Sequence, residues 1–242
     1  MKKLGIIFDF DGTVIESFTN RIESHKKVAN LITEFLKQRG IKPNYQNILE
    51  IVIKTEQEQE KKLIRKRDEW WKKIFKQLKI TNVPQDFITK LTNVYWETLR
   101  DTSKVYEGAP ELLEELKQRG YKLGMLSDTD GTPGWKENRF KASGLSKFFD
   151  AYVVAGETTP EAKPSPPPFL ELLKRLNIKP EQAIHVGDSQ KTDIKGAKAA
   201  GIEAVWIDWH KNPKGNKYGA IAVAKGFPEL KNTLYKVLDI QN

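Results

Sequence analysis

Short apolar runs alternate with stretches of helical spacing at the start of the chain and again from about Gly108 onward. "KLGIIF" at 3–8 has the look of a short buried strand. "APELLEELKQRG" sets leucines at helical spacing, with Pro110 near its start and Gly120 as its stop. "YKLGML" predicts a strand and runs into the polar connection "SDTDGTPGWKENR". "AYVVAG", "AIHVGD" and "EAVWID" predict three more strands, and "SPPPFLELLKRLN", "DIKGAKAAG" and "FPELKNTLYKVL" predict helices. The prolines heading the first of these helices fit only a first helical turn. Such β-α alternation predicts an α/β fold, a doubly wound parallel sheet covered by helices on both faces.

The stretch from 17 to 102 breaks this rhythm. "HKKVANLITEFLKQRG", "NILEIVIKTEQEQEKKLIRKRDEWWKKIFKQL" and "PQDFITKLTNVYWETLR" are helical in pattern, with no convincing strand between them. "ILEIVI" is β-branched, but its neighbours favour helix. A helical block interrupting a β-α series predicts a lid inserted into a core, so the expected division is 1–16 with 103–242 as core and 17–102 as helical domain. The hinges are expected near 16–20 and 101–108.

Composition narrows the class. Of 242 residues, 38% are hydrophobic and 10% aromatic, enough for a packed core. No long uncharged apolar run predicts a membrane helix, and no cleavable apolar segment precedes "IIFDFD". Zero cysteines exclude disulfides and thiolate chemistry and fit a cytoplasmic protein. The net charge of +9 is read as a lysine-rich solvated surface, with anionic partners as the sharper alternative. Residues 54–79 hold ten Lys/Arg against five Asp/Glu, with Trp70 and Trp71 among them. A solvated basic face around a buried tryptophan accounts for that segment, and a phosphate-attracting rim is the alternative.

In open α/β sheets ligands bind beyond the carboxyl ends of the strands, so the residues that follow each predicted strand carry the chemistry. After the first come Asp9, Asp11, Gly12 and Thr13, and after "YKLGML" comes Ser127. Lys163 precedes Pro164 at a helix entrance, and "AIHV" leads to Gly187, Asp188 and Ser189, with Asp193 five residues beyond Asp188. Clustered carboxylates are the hard oxygen ligands that Mg²⁺ takes, and the ion would offset their crowding. A lysine, a hydroxyl and backbone N–H groups can hold phosphoryl oxygens. One carboxylate can attack phosphorus while a second, two residues on, moves the proton.

"DFDGT", a serine after the second strand, "KP" before a helix and "GDSQKTD" occur in the order seen in the haloacid dehalogenase superfamily of hydrolases, which this chain resembles over essentially its whole length. The resemblance implies a Rossmann-like core and makes the helical block similar to that superfamily's C1-type cap. It implies that Asp9 is the nucleophile and an Mg²⁺ ligand, and that Asp11 is the general acid/base whose backbone carbonyl binds the ion. Ser127 would orient the phosphoryl group, and Lys163 would offset charge on nucleophile and phosphate. Asp188 would be the third metal ligand, with Asp193, Gly12, Thr13 and Ser189 in support; Asp193 as a plain helix cap is the competing reading. The chain departs from many relatives at Asp128, where they have asparagine, and an added acid there would repel phosphate unless paired.

Relatives that cleave carbon–halogen bonds generally lack an aspartate at the position of Asp11, so its presence points to phosphoryl transfer. The expected activity is a Mg²⁺-dependent phosphatase, acting through an aspartyl-phosphate on a small phosphorylated metabolite such as phosphoglycolate. A sugar phosphomutase, and a haloacid dehalogenase-like hydrolase, are the enzymatic alternatives. A nucleic-acid-binding module on a degenerate core is the other, and the intact acids and lysine argue against it. His25 is expected on the surface or packed in the helical block, His185 in the core, and His210 in a loop; no histidine pair has metal spacing.

Overall fold

The computed structural model describes residues 2–209 and 215–240, and His210 lies outside them. The chain divides into two compact units, one of residues 1–16, 104–129 and 136–242, the other of 17–103 and 130–135.

The first unit is built on six parallel strands: β1 (Gly5–Phe8), β4 (Lys122–Asp128), β5 (Ala151–Ala155), β6 (Ala183–Gly187), β7 (Glu203–Ile207) and β8 (Ala222–Ala224), ordered β5-β4-β1-β6-β7-β8. A separate antiparallel pair, β2 (Ile15–Glu16) with β3 (Lys104–Val105), joins the points where the chain leaves this unit and returns. The strands are mostly apolar because both faces are covered, and side chains alternate between them. Ile6, Phe8, Leu123, Met125, Ile184 and Val186 pack on α5 (Ala109–Gln118), α6 (Trp135–Ala142) and α9 (Phe227–Leu238). Ile7, Leu126, Val153 and Trp206 face the other way, onto α7 (Pro166–Leu176) and α8 (Lys195–Ala199). Four buried side chains of α7 (Phe169, Leu172, Leu173 and Leu176) contribute on the order of 6–12 kcal/mol before entropy is subtracted.

Strand order decides where a ligand can sit. From β1 the chain builds outward through β4 and β5, then crosses back to build through β6, β7 and β8, so the order reverses at β1 and β6. That reversal opens a crevice at the carboxyl ends. Phe8 is level with Met125 on one side and Val186 on the other, so the residues just beyond all three strands share one edge.

The second unit packs α1 (Arg21–Gln38), α2 (Tyr45–Lys61), α3 (Arg67–Gln77) and α4 (Gln85–Thr102) around Ile32, Val52, Trp71, Ile74, Leu91 and Tyr95. The long helical pattern of 47–78 is broken at 62–66, where Leu63 is left-handed at φ +57° and no residue is buried to hold a continuous helix. Among the described residues no helix is long and apolar enough to cross a membrane.

Candidate active site

β1 delivers Asp9 to the crevice, its N–H held by the Val186 carbonyl at 2.9 Å. The turn that follows relies on Gly12 at φ +76°, a conformation costly for residues with a Cβ. Its carbonyl accepts from the Trp209 indole, and the neighbouring Thr13 is buried with its hydroxyl unpaired among the described residues. Ser127 and Asp128 end β4, both buried. Asp128 is not aimed at an empty space: its Oδ1 accepts the Lys163 N–H at 2.9 Å, so the acid that departs from the family pattern fixes the lysine's backbone.

Lys163 is the hub. Its buried ammonium donates to Asp9 Oδ1 at 2.8 Å, Asp193 Oδ1 at 2.6 Å and the Leu126 carbonyl at 3.3 Å. Burial alone would lower its pKa, but Asp193, Asp9 and Asp128 outweigh that and hold it well above the usual lysine range. Asp193 is fully buried and accepts from the Ser189 N–H at 3.0 Å, with His185 Nε2 at 3.1 Å. Lys163 and His185 overcome its burial and keep it well below the ordinary carboxylate range. His185 packs edge-on to Phe169 in the core, and burial pushes it down. Ser189 caps the turn 190–194, its hydroxyl accepting from the Thr192 N–H at 3.3 Å.

Asp9, Asp188 and Asp193 each bring a carboxylate oxygen within 4.8 Å of the others. Crowding shows in the protons. Burial, then Asp193 and Asp11, push Asp9 up to about 6 against the pull of Lys163. Asp188 stands well above its ordinary value through burial and the charges of Asp193 and Asp9. Both oxygens of Asp193 are engaged within the protein, so Asp9 and Asp188 are the carboxylates with capacity for an ion. An all-oxygen donor set of this kind suits a hard divalent cation and not the softer metals. Of the three, Asp188 also lines a cleft of about 320 Å³.

Gly187 makes this packing possible. A Cβ there would lie 2.4 Å from the Asp193 carboxyl carbon. Gly187→Ala is therefore expected to cost about 1–3 kcal/mol of stability and to displace Asp193 from Lys163. Chemical denaturation checks the first, and a variant as stable and as active as the parent would contradict both.

Asp11 has partners that the sequence did not suggest. Arg139 grips both its oxygens, Nη1 to Oδ2 at 3.1 Å and Nη2 to Oδ1, and Lys136 also donates to Oδ2. Burial would raise the Asp11 carboxyl, but Arg139 and Lys136 outweigh it and hold it well below the ordinary range. Both cations come from α6, whose first residues lie inside the predicted polar connection. That helix has no apolar stripe to reveal it, because the residues it buries include the two charged ones. A lysine and an arginine three apart in "WKENR" were the only available sign.

The model of haloacid dehalogenase-like hydrolases matches residues 4–201, and the chain belongs to that family. It is 30% identical to the phosphoglycolate phosphatase of Aquifex aeolicus over 205 residues, covering 84% of each chain. It is 34% identical to the phosphoserine phosphatase of Thermus thermophilus over 110 residues, 46% of this chain and 43% of that protein, so it spans under half the length of that relative. A putative beta-phosphoglucomutase from Thermotoga maritima superposes with a TM-score of 0.73 at 25% identity, over 97% of this chain and all of that one.

Proposed function

We propose that the protein is a Mg²⁺-dependent phosphatase acting on a small phosphomonoester. The observation that carries this reading is Lys163, buried between Asp9 and Asp193 beside Asp188: a nucleophile, a charge-compensating cation and a metal-binding carboxylate meet in one crevice. Asp9 attacks phosphorus in line, and the phosphorus–oxygen bond to the leaving group breaks as Asp11 gives that oxygen a proton, for which its carboxyl must first leave the grip of Arg139 and Lys136 that keeps it ionised here. Water then loses a proton to Asp11 and attacks the aspartyl-phosphate; the bond to Asp9 breaks and inorganic phosphate leaves. Lys163 holds Asp9 in line and offsets phosphate charge, and Ser127 orients the phosphoryl oxygens. Asp9, the Asp11 carbonyl and Asp188 would hold Mg²⁺, which when bound supplies further charge neutralisation. A cytoplasmic setting belongs to this proposal, in keeping with a sequence free of cysteine.

Phosphate release from a panel of phosphorylated metabolites, phosphoglycolate and phosphoserine first, tests the reading; a protein that releases none in Mg²⁺ contradicts it. The likeness to a putative phosphoglucomutase makes a mutase the second reading, favoured instead if turnover requires a bisphosphate activator. Metal binding has its own readout. At a hundredfold excess over Kd, Mg²⁺ is expected to add about 2.7 kcal/mol, which corresponds to a melting shift of about 5–10 °C. The shift should shrink at pH 5, where protons compete for an Asp9 carboxyl pushed up to about 6. An unchanged melting temperature at pH 7.5 contradicts the metal assignment.

A further inference from the structure

The cleft of about 320 Å³ beside Asp188 has no part in the mechanism above, yet its walls are firmly built. Trp206 of β7 ties it to the acid, its indole N–H donating to the Asp188 carbonyl at 2.9 Å. A second wall is the segment 215–220, held by two carboxamides. Gln190 donates through Nε2 to the Gly215 carbonyl at 2.8 Å and accepts the Lys217 N–H at 2.7 Å. Asn216 accepts the Ala220 N–H at 2.8 Å and donates to its carbonyl at 2.7 Å. Lys217 and Tyr218 of this wall line the cleft. Trp209 supplies the third wall. Its ring stacks on Tyr106 at 4.5 Å and 17°, and Tyr106 stacks in turn on Phe227 at 6.0 Å and 11°. Trp209 therefore ends a column of three near-parallel rings. It is half-buried, it lines the cleft, and among the described residues no further ring stacks on it. Its indole N–H, given to the Gly12 carbonyl, fixes the plane of the ring.

We propose that this cleft binds a planar aromatic ring bearing a phosphate, the chemistry of a nucleoside monophosphate, with the ring stacked on Trp209. A column that ends in a cleft is extended by a flat ring, and the cleft lies at the lower end of the roughly 300–1,000 Å³ of small-molecule sites. Of the two acids in its lining, Asp188 belongs to the carboxylate cluster and Asp208 is engaged within the protein. Lys191 and Lys217 are both exposed, and their ammonium groups suit a phosphate. Such a ligand has two sources. It is the substrate where its phosphate reaches Asp9 past the shared Asp188, and a separate ligand where Lys191 and Lys217 hold that phosphate. The site stands on the cleft and not on the phosphatase reading.

Calorimetry with AMP, adenosine and ribose 5-phosphate reads the site directly. The parent is expected to bind AMP at least about 10-fold more tightly than ribose 5-phosphate, which has the phosphate but no ring. Trp209→Leu should weaken AMP by roughly 5- to 150-fold, the range for losing one base stack, and leave ribose 5-phosphate within about 2-fold. Trp209→Phe keeps a ring face while giving up the N–H to Gly12, and should lose less than about 5-fold. Lys191→Ala combined with Lys217→Ala, both at exposed positions, separates the sources. Weaker AMP with unchanged adenosine places the phosphate on these lysines. Unchanged AMP with Mg²⁺-dependent phosphate release from it makes the ring part of the substrate. Equal affinity of the parent for AMP and ribose 5-phosphate would overturn the proposal, and this comparison decides even where Trp209→Leu does not fold. A loss in Trp209→Phe as large as in Trp209→Leu would also overturn it, tracing the effect to the Gly12 contact. A parent that binds AMP as expected but releases phosphate from no ester would remove the phosphatase reading alone.

Discussion

Asp9→Asn is expected to lower phosphate release by at least about 10⁴-fold while leaving the fold in place, because removing a nucleophile eliminates the covalent route and leaves only binding and electrostatics. The substitution is nearly isosteric, and the amide oxygen can still accept from Lys163. Lys163 also keeps its 2.6 Å partner Asp193, so the hub is not left as a buried unpaired cation. The charge being removed is one that the fold disfavours. Burial and neighbouring acids move Asp9 from 3.8 up to about 6, so folding favours its protonated form. Its ionisation thus opposes folding as pH rises through that interval. Metal-free parent and variant should therefore diverge between about pH 3.8 and 6, with the parent losing stability relative to Asp9→Asn as pH rises. Inorganic phosphate assays and melting curves at several pH values provide the two readouts. Residual activity of more than a few per cent in a deamidation-free preparation would remove Asp9 as the nucleophile.

Where sequence pattern and function disagreed about the site, the reason was burial of charge. Asp9, Asp11, Lys163 and Asp188 were visible because strand ends in an α/β sheet converge, and each follows or connects a predicted strand. Five strands of the parallel sheet and most of its flanking helices follow from short apolar runs and period-3.6 apolar spacing, and β1, β4, β5, β6 and β7 lie where those runs lie. The short β8, the β2–β3 pair and α6 were not legible. The first two are too brief to show a period. α6 reads as a loop because it buries Lys136 and Arg139, and a rule that equates polar with exposed misses it. The question raised by Asp128 was equally closed to sequence: its answer is a backbone N–H from a residue 35 positions away. Residues 130–135, in the predicted core by their place in the chain, group with the helical unit, where Gly131 lies against the Arg65 backbone with no space for a Cβ.

In the helical unit the largest effect is expected at Glu56. Its Oε1 accepts from Arg67 Nη2 at 3.1 Å and from the Tyr95 hydroxyl at 2.8 Å, and Oε2 meets His25 Nε2. Arg21 Nη1 approaches the same carboxylate at 3.5 Å. Arg67 in turn lies over the rings of Trp70, Tyr95 and Trp96, its charge centre 3.7, 4.1 and 4.7 Å from their centroids. The aromatic faces attract this cation but cannot replace a carboxylate. Glu56→Ala would leave Arg67 buried without its counter-charge, and breaking such a pair on one side costs about 3–5 kcal/mol. Glu56→Gln keeps an acceptor for Tyr95 and should cost less. Replacing both partners, as in Glu56→Leu with Arg67→Met, should recover much of the loss, because neither charge is then stranded. Acid gives an independent check. Burial would raise the Glu56 carboxyl, but Arg67, His25 and Arg21 hold it far below its ordinary 4.5. Its contribution is thus complete above about pH 4.5 and fades as pH falls below that, so the parent should lose more stability on acidification than Glu56→Ala does. Denaturant titrations at pH 7 and pH 3.5 measure both quantities, and a loss under about 1 kcal/mol at pH 7 would show that the pair contributes no more than an exposed one.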